Sequence, residues 1–242
     1  MTIGAGALYA PNYEGDDEYH VSVLPNVEVA YGERFSASVQ NGARYRWIDG
    51  ANLRAGPIAR LNFGRDEDGS QAFAVSGDET DDLRGLGDID TSIELGGFLE
   101  HELGALTLSV EARQGLSGHE GFVADLGARW SGRAAIVGQP VLWSVGPRAR
   151  FVDDTYNSAF FGVTPTQSLV SGLNVYDASG GLYSYGASAS LVLPLESEGR
   201  WAAVVVAGLD RLEDDAAESP LVQERGDRDQ ASVGVFLTRR LW

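Results

Sequence analysis

The feature that most constrains this chain is a two-residue hydrophobic period that recurs in long runs from end to end. In residues 88–103 one frame reads Ile89, Thr91, Ile93, Leu95, Gly97, Leu99, His101 and Leu103, and the other Asp90, Ser92, Glu94, Gly96, Phe98, Glu100 and Glu102. Successive side chains of a strand point to opposite faces, so one strand carries an apolar and a polar face. Residues 105–115 set Leu106, Leu108, Val110 and Ala112 against Thr107, Ser109, Glu111 and Arg113. Residues 141–151 set Trp143, Val145 and Phe151 against Ser144, Gly146, Arg148 and Arg150. The same pattern covers 3–9, 21–31, 35–47, 53–63, 122–130, 183–195, 201–211 and 231–242, eleven runs in all. No helical i, i+3, i+4 stripe of comparable length competes. Short helical turns are expected only at 157–163 and 214–219.

Two architectures produce such alternation: a soluble sandwich or barrel, and a membrane barrel. Soluble strands are usually about 5–6 residues long, and these runs are mostly 9–15. The polar frame holds Arg44, Arg46, Arg54, Arg60, Glu94, Glu100, Glu111, Arg113, Asp125, Arg129, Arg148 and Arg150. A transmembrane barrel turns the apolar frame to lipid and this charged frame to a wet lumen. These twelve residues are therefore the lumen-lining candidates.

The tryptophans support the same assignment. Trp47 and Trp130 end runs, Trp143 and Trp201 begin runs, and Trp242 ends the chain. With strands alternating up and down, all five fall on one rim as a membrane girdle, and Phe35, Phe63, Phe122, Phe151 and Tyr183 fall near the other. Interfacial aromatics are what a bilayer favours. Short connections (102–105, 195–200) alternate with long ones (64–87, 153–181, 214–228), the habit of periplasmic turns and external loops. The long connections are acidic, with Asp66, Glu67 and Asp68, then Asp78, Glu79, Asp81 and Asp82, then Glu213, Asp214, Asp215 and Glu218. Solvation explains them, and a sharper reading is divalent-cation bridging to lipopolysaccharide, since hard cations take carboxylate oxygens.

Composition removes other classes. The chain has no cysteine, so it has no disulfide framework, thiol nucleophile or cysteine metal site. Its net charge of −17, with arginine as the sole strongly basic residue, excludes a phosphate-backbone binder. No stretch approaches the roughly 18–20 apolar residues of a spanning helix, which leaves strand spanning open. Strand-like sequence follows Met1 at once, so a mature form without its signal peptide is expected.

Eleven is an odd number, and single-chain bacterial barrels have even ones. A short strand at 71–75 would supply a twelfth. So would a break of 35–47 at the hairpin dipeptide Asn41-Gly42, although the frame Ala43, Tyr45, Trp47 continues through it and reads as one strand kinked at Gly42. The expectation is an all-β, antiparallel, up-and-down transmembrane barrel of about twelve strands (ten as the alternative), as one domain over residues 1–242. The final strand is irregular: Arg240 and Thr238 share the frame of Trp242, while Val233, Val235, Leu237 and Leu241 occupy the other. A bulge near the C-terminus would reconcile them.

Several segments, in order, resemble the MipA/OmpV family of outer-membrane proteins. They are Pro11-Asn12-Tyr13-Glu14-Gly15-Asp16-Asp17-Glu18-Tyr19 with Leu24-Pro25, then Leu83-Arg84-Gly85-Leu86-Gly87-Asp88-Ile89, then Gly118-His119-Glu120-Gly121. The most specific is Phe160-Phe161-Gly162-Val163-Thr164 with Ser171-Gly172-Leu173 and Tyr176, followed by Ser219-Pro220-Leu221-Val222. The resemblance implies a barrel in the bacterial outer membrane, in contact with its lipid and lipopolysaccharide. It also implies either a scaffold for a murein transglycosylase or another cell-wall enzyme, or a porin-like or adhesive role.

Catalysis has little support. Of three histidines, His101 falls in the lipid-facing frame, His20 starts a strand, and His119 sits between Ser117 and Glu120. Neighbours in sequence rarely meet with triad geometry, so His119 is expected to structure its loop. Gly4-Ala5-Gly6 lacks the strand-to-helix context and the lysine of a phosphate loop. The expectation is a protein without enzymatic activity, bound cofactor or metal.

Overall fold

The computed structural model describes residues 1–70, 73–76, 80–136 and 138–241. Its strands are β1 (Thr2–Pro11), β2 (Tyr19–Tyr31), β3 (Phe35–Ser38), β4 (Gly42–Tyr45), β5 (Ile48–Asp49), β6 (Leu53–Asn62), β7 (Ala74–Ser76), β8 (Ser92–Leu103), β9 (Leu106–Gly115), β10 (Phe122–Ile136), β11 (Gln139–Val152), β12 (Gly181–Pro194), β13 (Trp201–Leu212) and β14 (Asp229–Arg240). Each wall strand pairs antiparallel with its sequence neighbours, and β1 pairs with both β2 and β14. The sheet therefore closes. Closure removes the free edges that hydrocarbon cannot solvate. The wall is a closed twelve-stranded antiparallel barrel, with β5 a two-residue extension that pairs β6 and β7 a short strand added beside β2.

The two frames separate as a membrane barrel requires. On β8, Ile93, Leu95 and Leu99 are 44–49% exposed, while Ser92, Glu94 and Phe98 between them are buried. A side chain that is apolar and outward on every strand has no core to enter, and lipid covers it. Among the described residues no helix is long and apolar enough to cross a membrane.

The twelfth strand comes from the Asn41-Gly42 break. β3 and β4 form a hairpin with Ser38 opposite Gly42 and Phe35 opposite Tyr45. Reading 35–47 as one kinked strand fails because apolar alternation continues in the same sense on both arms of a tight hairpin. Gly42 has φ +67, and a Cβ there would lie 2.1 Å from the Ala59 carbonyl oxygen, so only glycine closes this turn against β6. The 71–75 segment is not a wall strand: β7 pairs with β2 at Val21 and Ser22, beside β2 on the edge where β3 pairs lower down at Glu28–Tyr31. Gln71 and Ala72 lie outside the described residues.

Two aromatic placements differ from the expectation. Phe35 lies opposite Tyr31 and Tyr45 at the short-turn rim, not at the other rim, because the hairpin turns the chain back. Tyr183 is buried, because a register shift at Arg150/Phe151 rotates it from the wall into the interior. Phe63, Phe122 and Phe151 sit at the long-loop ends of their strands, 40–52% exposed. Trp47, Trp130, Trp143 and Trp201 are exposed near the short-turn rim, and the Arg239 guanidinium covers the Trp201 ring at 5.3 Å. Trp242 lies outside the described residues. β14 runs without a bulge to Arg240, which pairs with Thr2, so Thr238 simply faces inward and is buried.

Over the long-loop mouth lies a helical cover. Segment 153–180 forms α1 (Asp154–Phe161) and α2 (Pro165–Ser171), and segment 213–228 forms α3 (Asp214–Glu218) and α4 (Pro220–Arg225). The Asp153 carboxylate caps α1 by accepting from the Tyr156 N–H, and Thr164 with Gln167 makes a capping box ahead of Pro165 on α2. The sequence turns at 157–163 and 214–219 anticipate α1 and α3, while α2 and α4 lie outside them. Tyr156, Phe160 and Phe161 of α1 pack with Val123, Tyr183, Leu212, Ala216 and Val222. A second cluster joins Tyr13, Leu83, Leu86, Val163, Leu173 and Leu221.

Replacing Gly42 by Val should cost about 1–3 kcal/mol of backbone strain and lower the denaturant midpoint of barrel unfolding in lipid vesicles. An unchanged midpoint would mean that the β3–β4 turn is not held against β6.

Candidate functional site: the charged lumen and its cover

Below the cover, the wall strands point arginines and carboxylates at one another. Arg113 on β9 is the hub, with its side chain 2% exposed. Its Nε donates to Glu94 at 2.7 Å, one terminal nitrogen to Glu111 at 2.8 Å and the other to Asp125 at 2.6 Å. A guanidinium can serve three carboxylates at once because its donors fan out in one plane. Asp125 also accepts from Arg150 Nε at 2.8 Å, and Arg150 reaches Glu14 at 3.4 Å. Glu111 joins the hub to Arg60 at 3.2 Å and to Arg44, and Arg44 bonds Glu100 at 2.9 Å. Arg44 also lies 5.1 Å from the Phe98 ring centroid. The network thus ties β4, β6, β8, β9, β10, β11 and the first loop across the interior.

Other lumen candidates sit apart from the hub. Arg54 pairs with Glu102 at 2.5 Å and lies 3.8 Å from Asp49, near the short-turn rim. Arg46 donates to the Glu33 carbonyl at 2.8 Å. Arg148 is paired with Asp210, its Nε at 2.7 Å. Among the described residues Arg129 has no ion pair, although it lines both lumen cavities. One cavity, about 630 Å³, lies under the cover against Tyr13, Glu14, Arg65 and Phe160. The other, about 340 Å³, lies beside the β3–β4 hairpin against Glu28, Arg44 and Glu100. Arg60, Ser109, Glu111 and Arg129 border both and form the waist between them.

Glu14 and Asp210 stand outside the twelve sequence candidates. Glu14 lies in the first loop, which folds inward so that its neighbours Asn12, Tyr13 and Asp16 are buried. Glu14 accepts from the Tyr183 hydroxyl as well as from Arg150. No periodicity marks a loop residue, so no signal in the sequence points to it. Asp210 shares the inward frame of Gly208 and Leu212, so the alternation of β13 could have found it.

His119 is structural in its contacts. Its Nδ1 accepts from the Gly121 N–H at 3.0 Å, which places the ring proton on Nε2, 3.1 Å from Glu94. The ring packs edge-on to Tyr156 with centroids 4.7 Å apart. Ser117 turns away and donates to the Thr91 carbonyl, so Ser117, His119 and Glu120 do not assemble as a triad. Above them burial pushes the Tyr156 phenol well above its ordinary range, so the ring works as neutral packing. Arg65 is buried in the cover, donates to the Phe160 carbonyl at 2.7 Å, and is pushed down to about 10 by desolvation.

The model of the MltA-interacting protein MipA family matches residues 3–241. The chain belongs to this family. No curated protein matches it. Among solved structures it is similar to the NanC porin, at a TM-score of 0.53 and 10% identity over 100% of both chains. It is also similar to OprD of Pseudomonas aeruginosa, at a TM-score of 0.40 and 14% identity over 97% of this chain and 64% of that one. The NanC likeness shows the barrel fold, and family and fold together fit the bacterial outer membrane. The segments that carry the family resemblance also build the cover: Tyr13, Leu83, Leu86, Phe160, Phe161, Val163, Leu173, Leu221 and Val222 all lie in its two apolar clusters.

Replacing Arg113 by Met leaves the buried Glu94 and Glu111 and the partly buried Asp125 without their shared cation. Removing one partner of a buried ion pair costs about 3–5 kcal/mol, so Arg113→Met should lower the denaturant midpoint far more than Arg54→Met at the rim. Equal effects of the two would contradict the hub.

Proposed function

We propose that this MipA-family barrel is a non-catalytic scaffold of the outer membrane whose periplasmic face holds a murein transglycosylase or a related cell-wall enzyme. The observation that carries this reading is the packed cover over the long-loop mouth, with Tyr156, Phe161, Leu83, Leu173 and Leu221 all at or below 1% exposure. A mouth covered by a packed hydrophobic core favours a structural role over bulk flow. The family's description as MltA-interacting supports the same partner class. The short-turn rim is the face left for docking. It presents Glu196, Glu198 and Arg200 on one exposed turn, with Arg200 2.6 Å from Glu198. The apolar outward frame meets membrane lipid, with lipopolysaccharide on the long-loop side.

The tagged barrel should retain a murein transglycosylase from native membranes, and Glu196→Ala/Glu198→Ala/Arg200→Ala should weaken retention while heat-modifiable gel migration stays normal. Failure of the parent barrel to retain any such enzyme sinks the scaffold reading.

A second reading, passage of small solutes, draws on the two cavities that meet at Arg60, Glu111 and Arg129. Fixed charges of both signs at a constriction set ion selectivity in pores. On the scaffold reading the intact protein gives no discrete conductance steps in planar bilayers, and removal of residues 154–179 opens them. Steps from the intact protein whose selectivity moves toward cations on Arg129→Glu would favour passage instead.

A further inference from the structure

At the waist of the lumen the strand register leaves an arginine facing no carboxylate. On β11 Arg148 stands opposite Gly186 of β12, and Gly186 stands opposite Asp210 of β13, so the arginine reaches across a glycine to an aspartate and pairs with it. One inward row nearer the short turns, and one strand back, the arrangement repeats. Arg129 on β10 lies beside Gly146 of β11, where a Cβ would stand 2.8 Å from the Arg129 Cα, and Gly146 stands opposite Ser188 of β12. A serine occupies the place that the aspartate has in the first row. The row continues through Gly208 to Ser232, with Thr107 on the other side of Arg129. None of these residues is acidic, and the exposed Arg129 has no ion pair among the described residues. The carboxylates around the larger cavity are already engaged: Glu111 by Arg60 and Arg113, Asp125 by Arg113 and Arg150, Asp210 by Arg148, and Glu14 by Arg150. At the cover end of the same cavity Arg65 is 8% exposed, its Nε meets no acceptor, and it too has no carboxylate partner among the described residues. Buried charges are ordinarily paired, so two uncompensated arginines give this cavity a field that favours an anion.

We propose that the cavity under the cover binds a small hydroxylated carboxylate, whose charged group pairs with the Arg129 guanidinium and whose hydroxyls meet Ser188 and Ser232. The planar fork of an arginine matches both oxygens of a carboxylate. Ser109, Ser188 and Ser232 line the cavity with hydroxyls that no other side chain engages among the described residues, and a hydroxyl both donates and accepts. The cavity volume of about 630 Å³ falls within the roughly 300–1,000 Å³ of small-molecule sites. A single negative charge suits it, since Glu111, Asp125 and Asp210 also border the cavity and repel a second. The other cavity continues from the waist into the short-turn half, so the ligand needs no path through the cover. The site therefore stands whether the barrel serves as a scaffold or passes solutes.

The test is calorimetric titration of sodium gluconate into the folded full-length protein in detergent at low salt. Sorbitol, the same carbon skeleton without the carboxylate, and inorganic phosphate, which carries more charge, are titrated alongside. The expected result is one saturable site for gluconate with a Kd on the order of 1 mM, weaker binding of phosphate and none of sorbitol. Arg129→Met breaks no ion pair and weakens gluconate binding about 10–100-fold, the range for hydrogen bonds to a charged group. Ser188→Asp gives Arg129 the partner that Arg148 has in Asp210, and it weakens binding in the same way. Arg54→Met at the rim leaves binding unchanged. Heat-modifiable migration reports folding of each variant, and if one of the two waist variants does not fold the other decides. Absence of saturable gluconate binding at about 10 mM overturns the proposal. So do sorbitol or phosphate binding as tightly as gluconate, unchanged affinity in either folded waist variant, or equal loss in Arg54→Met.

Discussion

The structure depends first on main-chain closure. A chain that spans hydrocarbon must pair every backbone N–H and C=O internally, and strands can do so only by joining the first to the last. Here β1 runs beside β14 from Thr2–Arg240 to Tyr9–Val233, in unbroken register. Once that seam is closed, the two-residue period has one consequence everywhere. One frame faces lipid, and the other faces a narrow interior that must accommodate whatever charges it carries.

That interior is organised by pairing. Arg113 pairs with three carboxylates, and Asp125 and Glu111 pass the connection to Arg150, Arg60 and Arg44. Such a network is worth little as a sum of contacts, since desolvation offsets most of the Coulomb gain. Its effect is positional. Each guanidinium has donors in fixed directions, so the strands that carry the partners are held in one register. The same network supports the cover from below, because Glu94 anchors His119, His119 packs on Tyr156, and Glu14 reaches both Arg150 and Tyr183. Wall and cover are therefore one polar and aromatic assembly, and a scaffold gains rigidity from that continuity.

Much of the wall was legible in the sequence. The frame of β8, β9 and β11 could be read residue by residue, and Glu94, Glu111, Arg113 and Arg150 of its charged frame form ion pairs. The misreadings share a cause. The run 35–47 looked like one strand because alternation is blind to a hairpin that reverses the chain in phase, and the positive φ at Gly42 was the signal that decided it. Tyr183 was placed on the lipid face because one extra residue at Arg150/Phe151 inverts the frame, and no local pattern announces a bulge. Glu14, and the cover beyond the turns that anticipate α1 and α3, were out of reach because loops carry no period.

The sequence by itself determined that this chain is a membrane barrel with an apolar outside and a charged inside, because a period of two over long runs has one geometric meaning in lipid. Tertiary structure alone decided what fills the barrel. Which carboxylate meets which arginine follows from the register between strands. The burial of Asp16 beside Asp82, and of Tyr156 above His119, follows from loops far apart in the chain folding over the same mouth. Those contacts are long-range, and a local pattern has no access to them.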